Sequence, residues 1–175
     1  MTTQSSREVI KRYIVDAIAA EQNFETQLKA FSKEGEQAAV QRVFAERAIE
    51  TRHQHQRLTA RLEDLGGSPL VLKSFFAHIF NFAPKAAQIG HDASEKSSQD
   101  LIIAFAIENS EIAMYEELAV VAAFAGDKET EQLARAIQEE ERAAAKKVWD
   151  LIDSRCRQTF MKVTSNPANV SSVTV

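Results

Sequence analysis

The sequence predicts an all-α protein in which four long helices form a single bundle. The first observation is compositional: only five glycines and three prolines occur in 175 residues, and 45% of the chain is hydrophobic. The second is that strong helix formers, chiefly alanine, glutamate, glutamine, lysine, arginine and leucine, dominate. The third is that apolar residues recur at steps of three and four, the period of an amphipathic helix. The chain is long enough for one domain with its own core.

The few glycines, prolines and capping residues set the bounds of these helices. We predict them over about 7–31, 36–65, 93–125 and 128–157. The joins near Gly35 and at Gly126-Asp127 are short, so helices 1 and 2, and helices 3 and 4, must run antiparallel. Asp127 is placed to cap helix 4.

A longer crossover separates helices 2 and 3. It begins at Gly66, contains the segment SPLVLKSFFAHIFNF and is expected to form a short helix of its own. We assign residues 1–160 to one bundle domain. Residues 161–175 are expected to be a flexible C-terminal tail, because SNPANVSSVTV lacks helical periodicity.

Charge and hydropathy narrow the possible partners. A net charge of −4 and a pI near 5.6 provide no basic stripe for a phosphate backbone, so we expect no nucleic-acid partner. Every hydrophobic stretch is interrupted by charges, so we expect no membrane partner. Cys156 has no second cysteine to pair with, and no leader pattern opens the chain, which favours a cytoplasmic location.

Carboxylates interrupt the apolar rows near the middle of each helix. In helix 1, Glu21 is the only charge in the row from Ile10 to Phe31. Adjacent rows of helix 3 carry one carboxylate each, and helices 2 and 4 carry theirs beside apolar residues. The candidate ligands outside helix 1 are Glu50 and His53 of helix 2, Glu108 and Glu111 of helix 3, and Glu140 of helix 4.

Because the helices are antiparallel and of similar length, these side chains should converge. Five carboxylates in a dry cluster repel one another, so they must take up protons or surround cations. Two divalent ions are the simplest solution. Oxygen ligands with one imidazole suit iron or manganese, while zinc stays possible.

These residues resemble the ferritin-like di-iron carboxylate superfamily, in which two helices each supply one Glu and two supply Glu-x-x-His. Glu108-x-x-Glu111 is similar to the third helix of rubrerythrins. The segments AAEQNFETQL, VFAERAIETRHQHQRL, IENSEIAMYEEL and IQEEERAAAK resemble the YciE/YciF family of bacterial stress proteins. The resemblance implies a ferritin-like antiparallel four-helix bundle, but no settled activity.

The ligand pattern is incomplete. Helix 4 has Ala143 and Ala144 where a histidine should follow Glu140 by one turn. On helix 2, either His53 or Gln54 could face the site. Lys147 could neutralise part of the acidic cluster if no metal is bound, and Tyr115 could hydrogen-bond a carboxylate or act as a redox-active catalytic phenol.

Two functions follow as expectations. The first is a dinuclear iron or manganese protein that reduces peroxide or oxygen, or handles iron during stress. The chain has no rubredoxin-like cysteine pairs, so such an oxidoreductase would need an external electron donor. The alternative is a metal-free, non-enzymatic dimeric stress or interaction protein that retains the acidic cluster. A homodimer is expected in either case, with Trp149 and the phenylalanines of the crossover as candidates for its interface.

Overall fold

Four helices make up most of the part of the chain that the structure describes. The structure is a computed structural model and describes residues 5–34, 37–68 and 95–165. The helices are α1 (Ser6–Phe31), α2 (Ala38–Asp64), α3 (Lys96–Ala125) and α4 (Lys128–Thr164). These bounds confirm the predicted helices, except that α4 continues seven residues beyond the predicted end at Arg157.

The crossover helix predicted around SPLVLKSFFAHIFNF lies outside the described residues, as do residues 166–175 of the predicted tail. Residues 161–164 of that tail belong to α4. Among the described helices, none combines the length and the hydropathy that crossing a bilayer requires.

The helices are arranged as two hairpins packed side by side. The most extensive contacts join α3 to α4 and α1 to α2, and further contacts join α1 to α3 and α2 to α4. This arrangement surrounds one core, to which every helix contributes fully buried side chains. They include Phe24, Phe44, Leu58, Leu101, Leu118 and Ile137. The predicted four-helix bundle is confirmed.

The join between α3 and α4 fixes the relative height of these two helices. Gly126 adopts a left-handed conformation (φ 74°), which a residue with a Cβ rarely accepts, and ends α3. Asp127 then caps α4 by accepting a hydrogen bond from the Thr130 backbone N–H at 3.0 Å. Arg61 of α2 donates to Asp127 at 2.7 Å and to Thr130 Oγ1 at 2.9 Å. The turn therefore ties α2 to the start of α4.

Candidate metal centre

Four carboxylates from three helices are fully buried at the middle of the bundle. They are Glu21 of α1, Glu108 and Glu111 of α3, and Glu141 of α4. We call this set the acidic cluster. Glu21, Glu108 and Glu111 are buried within the inward apolar rows that the sequence indicated.

Glu140 does not face inward, so this part of the sequence interpretation is wrong. Its side chain is 45% exposed and pairs with Arg57 of α2, whereas its neighbour Glu141 is fully buried. The inward row of α4 passes through Ala134, Ile137, Glu141 and Ala144, and not through Leu133 and Leu151, which are only partly buried. One residue along a helix rotates the side chain by about 100°, so this difference moves the carboxylate from the surface to the core.

The structure also places the predicted helix 2 ligands outside the acidic cluster. His53 is exposed, and the side chain of Glu50 is 45% exposed. The buried polar residues at this height of α2 are Arg47, Thr51 and Gln54. Of the two residues considered for the inward position, Gln54 is therefore the one that reaches the core.

Arg47 is the most unexpected member of the site, because a charged guanidinium lies almost fully buried among the carboxylates. Its Nε donates to Glu108 Oε1 at 2.9 Å and its Nη2 to Glu108 Oε2 at 3.1 Å. Nη2 also donates to Glu141, and Nη1 donates to Gln54 Oε1 at 3.1 Å. Its guanidinium carbon lies 5.9 Å from the ring centre of Phe24. Arg47 therefore interacts with residues of all four helices.

Arg47 keeps its charge in this buried setting, since a guanidinium loses its proton only at very high pH. Burial alone would lower the pKa of Arg47, but Glu108 and Glu141 together raise it well above its ordinary value. A bidentate guanidinium–carboxylate pair is also the geometry in which arginine binds most strongly. The acidic cluster thus contains a permanent cation of its own.

Several oxygens of the site have no hydrogen-bond partner despite complete burial. They are both carboxylate oxygens of Glu111, Oε2 of Glu21 and the hydroxyl oxygen of Thr51. Buried polar atoms are normally paired, and leaving one unpaired costs about 1–3 kcal/mol. Oxygens of Glu108, Glu111 and Glu141 lie within 4.8 Å of one another, close enough to share a metal ion. These unpaired oxygens could be satisfied by a bound cation or by protons.

The same burial raises the pKa of Glu21, Glu108 and Glu111. For Glu111, burial has the largest effect and the charges of Glu21, Glu141 and Glu108 add to it, so its pKa is well above the ordinary value. Glu21 is raised in the same direction, again mainly by burial. Without a metal, Glu21 and Glu111 are therefore expected to retain protons at a pH at which exposed glutamates have lost theirs.

Tyr115 lies against the acidic cluster and is fully buried. Its hydroxyl donates a hydrogen bond to Glu21 Oε1, linking α3 to α1. Burial and the nearby carboxylates raise the pKa of Tyr115 well above its ordinary value, so the phenol stays protonated and acts as a donor.

A surface groove lies beside the acidic cluster, between α2 and α4. Its volume is about 500 Å³, and it is lined by Glu50, His53, Arg57, Glu140, Ala143 and Lys147. Gln54 joins the groove to the cluster, since its Nε2 donates to Glu140 Oε2 at 3.1 Å and to Glu141 Oε1 at 2.6 Å.

Lys147 belongs to this groove and does not face the core, contrary to the sequence interpretation. Its side chain is 61% exposed and its Nζ lies 3.4 Å from Glu50. The cation that partly neutralises the carboxylates is Arg47 of α2. It takes the role that the sequence interpretation gave to Lys147 of α4.

The donors present do not match a complete two-ion site of the ferritin-like type. That pattern takes Glu-x-x-His from each of two helices. At this spacing, the inward residues are Thr51 and Gln54 on α2 and Glu141 and Ala144 on α4. The buried cluster described here contains no imidazole. The Glu108, Glu111 and Glu141 carboxylates remain suitable for one oxygen-preferring ion.

Sequence reasoning missed Arg47 and Glu141, although part of the signal was present. The steps that give Val40, Phe44, Leu58 and Leu62 as an inward row of α2 also pass through Arg47, Thr51 and Gln54. For Glu141, the consecutive glutamates 139–141 leave the register ambiguous, because each could occupy an inward position. Burial in the folded bundle decides between them.

Comparisons with known proteins place the chain in a family. Residues 6–161 match the family model described as a domain of unknown function, DUF892. No curated protein matches the chain. Several solved structures are similar in fold, and the three described next are each less than 25% identical in sequence.

A protein from Xanthomonas campestris pv. campestris is 24% identical, with a TM-score of 0.75 over 90% of this chain and 97% of that one. The Escherichia coli stress protein YciF is 20% identical, with a TM-score of 0.76 over 89% of this chain and 99% of that one. A dodecameric thioferritin, the bacterioferritin-related protein of Bacteroides fragilis, is 19% identical, with a TM-score of 0.67 and coverages of 87% and 89%. The chain belongs to the DUF892 family and has the ferritin-like fold of its YciF-type relatives.

Proposed function

We propose that this chain is a ferritin-like stress protein that binds one divalent iron or manganese ion in its acidic cluster. Through that ion it would handle iron, or reduce peroxide or oxygen with an external electron donor. The observation that carries the proposal is Glu111, a fully buried carboxylate with no hydrogen-bond partner on either oxygen. The fold shared with a stress protein and with a thioferritin supports it.

Glu108, Glu111 and Glu141 would hold the ion, because their oxygens lie within 4.8 Å of one another. Glu21 is a further ligand candidate through its unpaired Oε2. A single ion is proposed in place of the two expected from the sequence, because the imidazole positions are taken by Gln54 and Ala144. Zinc remains the competitor that the experiment must include.

An iron or manganese ion bound there would supply Lewis-acid and redox chemistry. The protein's own residues have simpler tasks. Arg47 fixes the orientation of Glu108 with two hydrogen bonds, and Tyr115 fixes Glu21 with one. Complete burial of all four carboxylates excludes bulk water and strengthens their attraction for a cation.

The first prediction concerns Glu111→Gln. Purified protein is treated with chelator and titrated anaerobically with Fe²⁺, Mn²⁺ or Zn²⁺, and bound metal is counted by elemental analysis after gel filtration. We expect about one ion per wild-type chain and a higher melting temperature on loading, because a ligand of the folded state stabilises it. Glu111→Gln should bind at least about tenfold more weakly, since an amide removes one ligand charge.

Glu139→Gln is the matched control, because that side chain is 73% exposed on α4. It should bind metal as the wild type does. A wild-type chain that binds no ion under these conditions, or a Glu111→Gln variant that binds as tightly as the control, would reject the proposed site.

A metal-free helical interaction protein is the second candidate. It is favoured by Arg47, which already neutralises part of the acidic cluster. A homodimer would then provide the function, and exposed apolar side chains such as Phe124 (91% exposed) and Trp149 (59%) are available for an interface. Absence of metal binding together with a dimer in sedimentation would favour this candidate over the first.

A further inference from the structure

Arg47 lies among carboxylate and amide groups of the kind that bind metal ions. It takes both oxygens of Glu108 and one of Glu141, and it binds the amide oxygen of Gln54. Two carboxylates and an amide from three helices are therefore directed at a guanidinium. Hard cations such as Mn²⁺ and Fe²⁺ prefer oxygen ligands of this kind.

Gln54 donates to the second oxygen of Glu141 and Tyr115 to one oxygen of Glu21, but four other oxygens of the site have no donor. Glu111 uses neither of its oxygens, and Glu21 Oε2 and Thr51 Oγ1 also lack partners. Arg47 therefore occupies Glu108 and one oxygen of Glu141, whereas Glu111 and one oxygen of Glu21 are left without donors. Such a division is expected when one of two cation positions is permanently filled.

We propose that Arg47 is a resident cation that replaces one of the two metal ions of a ferritin-like centre and limits the site to at most one ion. This inference rests on the proposed function for the single ion, but the position of Arg47 is a separate claim. The guanidinium holds Glu108 and Glu141 in place without metal. Its removal should leave room and ligands for an additional divalent ion.

The test compares metal stoichiometry in wild type, Arg47→Gln and Arg61→Gln. Arg61 is the matched control, since it is on the same helix and pairs with two carboxylates, Asp127 and Glu129, away from the acidic cluster. Each chelated protein is titrated with Mn²⁺ and its bound metal counted. We expect one ion per chain for wild type and Arg61→Gln, and two for Arg47→Gln.

The outcomes separate this inference from the proposed function. A wild type with one ion and a folded Arg47→Gln variant that also binds one would overturn the role of Arg47 and leave the metal site standing. A wild type with none and a variant with one would reject the proposed function but support the resident cation. Two ions in the wild type would overturn the resident cation alone. No binding by either protein would overturn both proposals.

Arg47→Gln leaves buried carboxylates unpaired, so its apo form could fail to fold. Folding that is restored by Mn²⁺ with two bound ions would support the proposal. The wild type provides an independent measurement through the NMR signal of the Arg47 Nε–H. We expect this signal to be protected from solvent exchange in chelated protein and to persist with one equivalent of Zn²⁺. An unprotected signal, or its loss on adding Zn²⁺, would overturn the proposal.

Discussion

At the scale of single residues, the site depends on which buried oxygens have donors. Tyr115 supplies the only side-chain hydrogen bond found for Glu21 among the described residues, and Glu21 Oε2 already lacks a partner. Both residues are fully buried, so water cannot easily replace a lost donor. The Tyr115 hydroxyl is therefore expected to matter for stability before any catalytic role is considered.

We predict that Tyr115→Phe lowers the free energy of unfolding of the chelated protein by about 1–3 kcal/mol, because Glu21 then has no donor on either oxygen. Urea denaturation at neutral pH measures the change. Tyr13→Phe is the control, since Tyr13 is only partly buried at the edge of the core. It should change stability by less than about 0.5 kcal/mol. Equal effects of the two substitutions would contradict the assigned role of Tyr115.

At the scale of the helices, the turn between α3 and α4 also stabilises the packing of the two hairpins. Asp127 accepts from the backbone of Thr130 and from Arg61 of α2, so one side chain caps α4 and joins it to the neighbouring hairpin. Its hydrogen bonds with Thr130 and Arg61 overcome the effect of burial and lower the pKa of Asp127. The carboxylate is therefore stabilised in its charged form.

Asp127→Ala should cost about 1–2 kcal/mol of stability, because α4 loses its N-cap. Asp153→Ala is a suitable comparison: Asp153 is also on α4 but its side chain is 76% exposed and pairs only with Arg157 four residues later. Solvent screens such an exposed pair, so its loss should change stability only slightly. Thermal or urea unfolding of both variants checks the prediction, and a smaller loss for Asp127→Ala than for Asp153→Ala would contradict it.

The helices were predictable because their signals are local. Apolar periodicity, a glycine at the end of α3 and a capping aspartate at the start of α4 are all visible in the sequence. The inward orientation of Glu21, Glu108 and Glu111 followed from the same periodicity. The choice between Glu140 and Glu141 did not follow from it. Both residues are compatible with a helical period, and only the rotation of α4 against the other helices decides which of them is buried.

The burial of Arg47 could not be predicted from the sequence for a different physical reason. An isolated arginine is expected at the surface, since burying an unpaired charge is costly. Only the simultaneous presence of Glu108 and Glu141, which are far away in the sequence, makes its burial acceptable. Pairings of this kind arise from tertiary structure and cannot be recognised from one helix alone.

At the scale of the whole molecule, the acidic cluster couples stability to pH. Burial raises the pKa of Glu21 and Glu111 well above their ordinary value of 4.5. Between the unfolded and folded pKa values the folded state binds more protons than the unfolded state. The free energy of unfolding must therefore fall as pH rises through that window.

We expect chelated wild-type protein to have a higher urea midpoint at about pH 5.5 than at about pH 8, with each such carboxyl contributing up to about 1.4 kcal/mol per pH unit. Glu111→Gln should reduce this dependence, because the amide does not titrate. Urea midpoints measured across the range provide the check. A wild-type midpoint that is constant or rises with pH would contradict the prediction, as would an unchanged slope in the variant.

The position of Gln54 affects how fast ions or protons can exchange between the groove and the acidic cluster. Its amide connects Glu140 in the groove to Glu141 in the acidic cluster, and it also accepts from Arg47. An ion or proton passing between the groove and the acidic cluster at this point would have to displace the amide and break these three hydrogen bonds. We therefore expect exchange between solvent and the acidic cluster to depend on the rotation of a fully buried side chain, which is slower than a rotamer change at the surface.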